Sequence, residues 1–156
     1  MILVCAMHNI FPIFHVRKEK DVVYNKLWKD VRLDPNITYE LRTTLDLVEG
    51  YVGAGKLYIH RLYDPNAGPT SQHKYGKAAD GHIEGMHVLD QYVLMERFPF
   101  TGLGIYPQDI WNNPGFHVDV RKSSIGRRWG YIPKSDGGRR MVALGRNFFE
   151  HILSLD

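Results

Sequence analysis

His73 and Asp80 stand seven residues apart in the segment Ser71-Gln72-His73-Lys74-Tyr75-Gly76-Lys77-Ala78-Ala79-Asp80, whose glycine and two alanines let backbone pack closely around a site. A further 37 residues on comes Phe116-His117-Val118-Asp119-Val120-Arg121, in which apolar and polar residues alternate. In a strand, successive side chains point to opposite faces, so His117, Asp119 and Arg121 share one face while Phe116, Val118 and Val120 enter the core. Two imidazoles and one carboxylate, with a fourth position left for water, suit a catalytic zinc ion, which lowers the pKa of that water toward ~7. The chemistry implied is metal-assisted hydrolysis. On spacing alone a surface histidine beside a surface aspartate explains the same letters, because 8 histidines and 17 acids produce many such pairs. His and carboxylate ligands also suit several divalent ions besides zinc. Cys5 is the single cysteine, which excludes an intrachain disulfide and any cysteine-based zinc cluster and reads most simply as a buried thiol.

The elements that must position these residues follow from periodicity. Val22, Val23, Leu27 and Val31 fall near helical spacing between Lys20 and Val31, and Leu41, Leu45, Val48 and Val52 repeat on one helical face. Between them, Arg32 to Thr38 carries a turn signal in Asp34, Pro35 and Asn36 that also suits a helix start. Lys56 to Leu62 reads as a strand, Tyr63 to Gln72 as a loop, and Ala78 to Ile83 as a second strand. A helix is predicted over His87 to Phe98, two strands over Leu103 to Tyr106 and Phe116 to Val120, and a last helix over Met141 to Leu155. The expected fold class is α+β, a small, mainly antiparallel sheet flanked by helices, in a single domain spanning residues 1–156.

Composition narrows the function classes. With 156 residues, 44% hydrophobic and 24% charged, the chain can bury one core and is neither disordered nor fibrous. There is no run of 18 apolar residues, hence no expected membrane span. Met1 to Phe14 lacks the basic start and cleavage pattern of a secretion signal, so synthesis in the cytoplasm is expected. Arg121, Lys122, Arg127, Arg128, Lys134, Arg139, Arg140 and Arg146 face a single acid, Asp136, which is either a solvated surface or a patch that attracts an anionic polymer. The formal net charge of only +3 and the lack of a binding motif argue against nucleic acid as the partner. Gly50 to Lys56 matches half of a phosphate-binding loop, but Leu57 replaces the hydroxyl residue and the glycines follow a helix, where they serve as its end.

Taken together, Ser71-x-His73-x-x-Gly76-x-Ala78-Ala79-Asp80, Gly102-x-Gly104-x-Tyr106-Pro107 and His117-x-Asp119-x-Arg121 resemble, in order and approximate spacing, the zinc D-alanyl-D-alanine carboxypeptidase and endopeptidase family. That family shares its fold with the amino-terminal signalling domain of hedgehog proteins. The resemblance runs from about Glu40 to Trp129. It implies that His73, Asp80 and His117 bind one zinc ion, and that Ser71 supports the first ligand through a hydrogen bond. Arg61 falls where the family has the Arg of a Ser-Gly-Tyr-Arg stretch, here Tyr58-Ile59-His60-Arg61, to hold a substrate carboxylate or the tetrahedral oxyanion. Its loop to His73 is shorter than the family's.

Many members place Glu or Asp three residues before the last His ligand, a position occupied here by Pro114, which cannot accept a proton. The branch with the His-x-Asp-x-Arg ending makes Asp119 the candidate general base; the alternative is a carboxylate that orients His117 or pairs with Arg121. Tyr106 is a candidate to bond the oxyanion or simply a packed strand end. Trp129 and Tyr131 are read as lining a groove for a sugar-peptide polymer or as a hydrophobic lid; His60 and His82 lie near the motifs. The substrate implied is a peptidoglycan stem or cross-bridge peptide, and the absence of a signal suits a phage or prophage lysis enzyme acting on the wall after release. A non-catalytic wall-binding module that keeps the fold is the alternative. Oligomeric state is not legible in the sequence.

Overall fold

The computed structural model describes residues 25–155. Cys5, His8, His15 and the basic run Arg17 to Lys20 lie outside the described residues, as does the beginning of the first predicted helix. The elements run β1 (Lys26–Leu27), α1 (Trp28–Val31), α2 (Tyr39–Val52), β2 (Leu57–Arg61), a 3-10 turn (Gln72–Tyr75), β3 (Ala78–Ile83), α3 (Val88–Met95), β4 (Gly102–Tyr106), β5 (Gly115–Asp119), β6 (Arg127–Pro133), β7 (Arg139–Ala143) and α4 (Arg146–Leu153).

The mixed α+β class is as expected, but the sheet is larger than the small one anticipated. It has seven strands in the order β1-β2-β3-β5-β4-β6-β7. Its neighbours are antiparallel except for β4 and β6, which run parallel. The extra strands come from the basic segment. Arginines and glycines there hide the alternation of Trp129 and Tyr131 on β6, and β7 forms the sheet's edge, where polar side chains are tolerated. Pairing of Met141 with Tyr131 draws the start of the predicted last helix into β7, so α4 begins only at Arg146. At the other end, Lys26 and Leu27 pair with β2, leaving only Trp28–Val31 helical among the described part of the first predicted helix.

α2 shows how local sequence becomes packing. The Thr38 hydroxyl caps it by accepting from the Leu41 N–H, and Gly53 ends it. Leu41, Leu45 and Val48 are fully buried, each contributing roughly 1.5–3 kcal/mol relative to exposure. The Trp28 indole donates to Asp46 on the same helix (2.8 Å), which also accepts from Arg32 (3.0 Å), so the segment before α2 is tied to it.

The sheet has two distinct faces. Leu57, Ile59, Ala79, Ile83, Leu103, Phe116 and Val118 join side chains of α2 and α3 in one core, and Ile105 joins Phe148 and Ile152 of α4 in a smaller one. Alternation therefore sends Tyr58, His60, Asp80, His82, Tyr106, His117, Asp119, Trp129 and Tyr131 to the face away from the helices.

Candidate metal centre

Three elements bring the predicted ligands together. Strand β3 carries Asp80 directly opposite His117 of β5, and directly paired residues on antiparallel strands share a face. His73 arrives from the 3-10 turn that precedes β3. Gly76 closes that turn at φ +63, and a β-carbon there would run into the Asn36 carbonyl, so the glycine of the motif is needed both for its backbone and for its lack of a side chain. The ligand atoms of His73, Asp80 and His117 all lie within 4.8 Å of one another, and all three residues are buried.

The imidazoles are oriented from behind. His73 Nδ1 donates to the Leu62 carbonyl (2.6 Å), which leaves Nε2 as the lone-pair nitrogen. That Nε2 lies 3.2 Å from Asp80 Oδ2, yet it is buried without a hydrogen-bond partner. A buried polar atom left unpaired is costly, and a cation between His73, Asp80 and His117 would satisfy it. His117 Nδ1 is 2.7 Å from Asp80 Oδ1, while its Nε2 is 3.2 Å from Asp119 Oδ2. Asp119, fully buried, in turn accepts from Arg121 Nε (2.7 Å) and from a second nitrogen of the same guanidinium. Tyr106 Oη donates to Asp80 Oδ1 at 3.3 Å. The donor set, two histidines and a carboxylate with oriented outer partners, fits a divalent metal ion.

Electrostatics match this geometry. Burial works against charge on Asp80, but the flanking His73 and His117 hold its carboxyl far below the usual range. Burial likewise opposes the His117 cation, and Asp80 and Asp119 overcome it, raising the imidazole to about 9. For Asp119, burial is outweighed by the Arg121 and His117 hydrogen bonds, which depress its pKa strongly. Burial and the Asp80 charge push the Tyr106 phenol well up, so it stays a donor.

Of the other predicted residues, Arg61 reaches the site face through an irregularity. Ile59 pairs with Gly81 and Arg61 with Asp80, so a bulge places Arg61 opposite a ligand where regular alternation would turn it to the helical side. Its guanidinium bonds Asp64; burial disfavours its charge, but the Asp64 bond and the Asp80 field raise its pKa. Ser71 begins the 3-10 turn, half-buried, and the contact that orients His73 comes from the Leu62 backbone. Trp129 is buried with its ring centroid 5.0 Å from that of His117, so it is part of the wall of the centre. Gly104 makes room for it: a β-carbon there would lie 2.7 Å from the indole. Gly102 similarly yields space to the Asp119 carboxylate.

Sequence reasoning missed Trp111, which stacks on Tyr106 at 3.9 Å and lies 5.3 Å from His60, and Arg139, which sits over the Tyr131 ring at 4.8 Å. A loop tryptophan and one arginine among many carry no periodic signal. His60 and His82, noted only as neighbours, form a stacked pair joined Nε2 to Nδ1 at 2.7 Å. Burial and the neighbouring His82 lower His60 to about 4, so it is neutral near pH 7. His87 and His151 lie elsewhere, at the start of α3 and against Asp109.

No protein-family model matches the chain, no curated protein matches it, and no solved structure matches it.

Proposed function

We propose that this chain is a zinc-dependent peptidase that hydrolyses peptide bonds in the stem or cross-bridge peptides of bacterial peptidoglycan, with the hedgehog and D-alanyl-D-alanine peptidase type of fold. The observation that carries the reading is the convergence of His73, Asp80 and His117 in one buried group, with the His73 Nε2 lone pair unsatisfied. These are the residues that the resemblance to the zinc D-alanyl-D-alanine peptidases marks as ligands. A zinc ion held there would supply Lewis acidity, activating water and polarising a peptide carbonyl.

The protein's own residues prepare that chemistry. The Leu62 carbonyl fixes the tautomer of His73. Asp119 holds the outer nitrogen of His117 and is itself held ionised by Arg121. A carboxylate so saturated with donors is a weak proton acceptor, so of the two roles open to Asp119 the geometry favours positioning His117 over general base. Tyr106 restrains Asp80. Arg61, opposite Asp80 and fully cationic, is poised to hold a substrate carboxylate or a developing oxyanion if Asp64 releases it.

The test is digestion of purified peptidoglycan with the native, chelated and zinc-restored protein, with fragments identified by mass spectrometry. New peptide termini that vanish on chelation and return with zinc support the reading and name the bond. Metal-loaded protein that retains wall fragments but cleaves none would instead indicate a binding module.

A further inference from the structure

A basic groove opens beside the metal centre. Its space is about 540 Å³, and Lys77, Arg121, Lys122 and Arg127 line it together with Gln72 and Tyr75. One wall is the 3-10 turn that carries His73, since Gln72 precedes that ligand and its carbonyl accepts from the Lys77 N–H (3.0 Å). The other wall continues from the end of β5, where Arg121 bonds the Asp119 that touches His117. The groove therefore takes its walls from the segments that carry the centre, through Gln72 next to His73 and Arg121 on the carboxylate that touches His117.

The charge in the groove is unbalanced. Arg121 shares its charge with Asp119, but among the described residues no carboxylate pairs with Lys77, Lys122 or Arg127, and no acid lines the groove. Lys122 and Arg127 are exposed, so their charges are available to a ligand. Cations gathered this way around polar side chains suit compact anions, and carboxylates most directly where an arginine can form a paired contact.

We propose that this groove is the subsite for free carboxylates carried by the peptide substrate beside its scissile bond, so that the protein prefers acidic wall peptides over amidated ones. The proposal rests on the peptidase reading for its substrate class, but its test does not need turnover.

The experiment is calorimetric titration of the zinc-loaded full chain with a synthetic wall-stem peptide whose carboxylates are free and with the same peptide fully amidated, at neutral pH and low salt. The free-carboxylate peptide should bind roughly tenfold more tightly, a preference that shrinks as salt screens the groove. Lys122→Ala/Arg127→Ala, two exposed positions, should bring the two peptides to within about twofold without lowering the melting temperature. Lys77→Met should reduce the preference on its own. Equal binding of both peptides by the native protein overturns the proposal, as does a preference that survives in the double variant or a failure to bind either peptide. Cleavage of both peptides with equal KM would refute the groove and leave the peptidase standing. Discrimination in binding without cleavage of either would refute the peptidase and leave the groove.

Discussion

Zinc binding should release a proton from His117. In the metal-free protein this imidazole lies between Asp80 Oδ1 at 2.7 Å and Asp119 Oδ2 at 3.2 Å, and the two carboxylates hold its proton up to about pH 9. A metal needs the neutral ring. Below pH 9 every ion bound must therefore displace about one proton, and affinity should climb about tenfold per pH unit, or ~1.4 kcal/mol, between neutrality and that value. Above it the dependence should flatten. Calorimetry in pairs of buffers with different ionisation enthalpies measures the proton count directly, at pH values stepped across this range. Zero protons released, together with an affinity that does not change with pH, would refute the coupling between His117 and its two carboxylates.

The same groups set the stability of the metal-free protein. His117 is raised from 6.5, so its contribution is complete below 6.5 and is lost as pH rises through about 9. Asp80 and Asp119 are depressed from 3.8, so theirs is present above 3.8 and is lost as pH falls through the folded-state values. Denaturant midpoints without metal should thus be highest between roughly pH 4 and 6.5; a maximum above pH 9 would contradict the assignment. Asp119→Asn should weaken zinc roughly 10- to 100-fold, with most activity returning at saturating zinc; loss of kcat at full metal occupancy would make Asp119 the base. Tyr106→Phe removes the hydroxyl that reaches Asp80, and chemical denaturation should show a loss of about 1 kcal/mol. Gly104→Ala pushes a methyl against Trp129 and should cost about 1–3 kcal/mol, read as a lower melting temperature.

Much of the centre was legible because strict alternation is a strong signal. Phe116 to Arg121 could be assigned faces from the sequence, and β5 presents His117 and Asp119 on one side with Phe116 and Val118 on the other. Helix α2 was equally legible from its apolar repeat, and the order of helix, glycines and strand β2 is the one read from the sequence. What escaped has physical reasons. β7 is an edge strand and β6 its inner neighbour, and both carry solvated arginines, so their alternation is diluted. The bulge that turns Arg61 toward Asp80 is a register event between strands, invisible in one strand's own letters. Backbone contacts such as that of the Leu62 carbonyl with His73 leave no trace in residue type. Contacts among Trp111, Tyr106, Tyr131 and Arg139 join a loop to three strands and exist only once the sheet is assembled.

The most direct measurement titrates zinc into metal-free protein while peptide release from purified peptidoglycan is followed. A single zinc-peptidase centre built from His73, Asp80 and His117 requires cleavage to rise linearly and to stop rising at one equivalent of metal. The same titration of His73→Ala should give no rise at that concentration. Cleavage that is independent of zinc, or none at all from protein carrying a full equivalent, would contradict the metallopeptidase assignment.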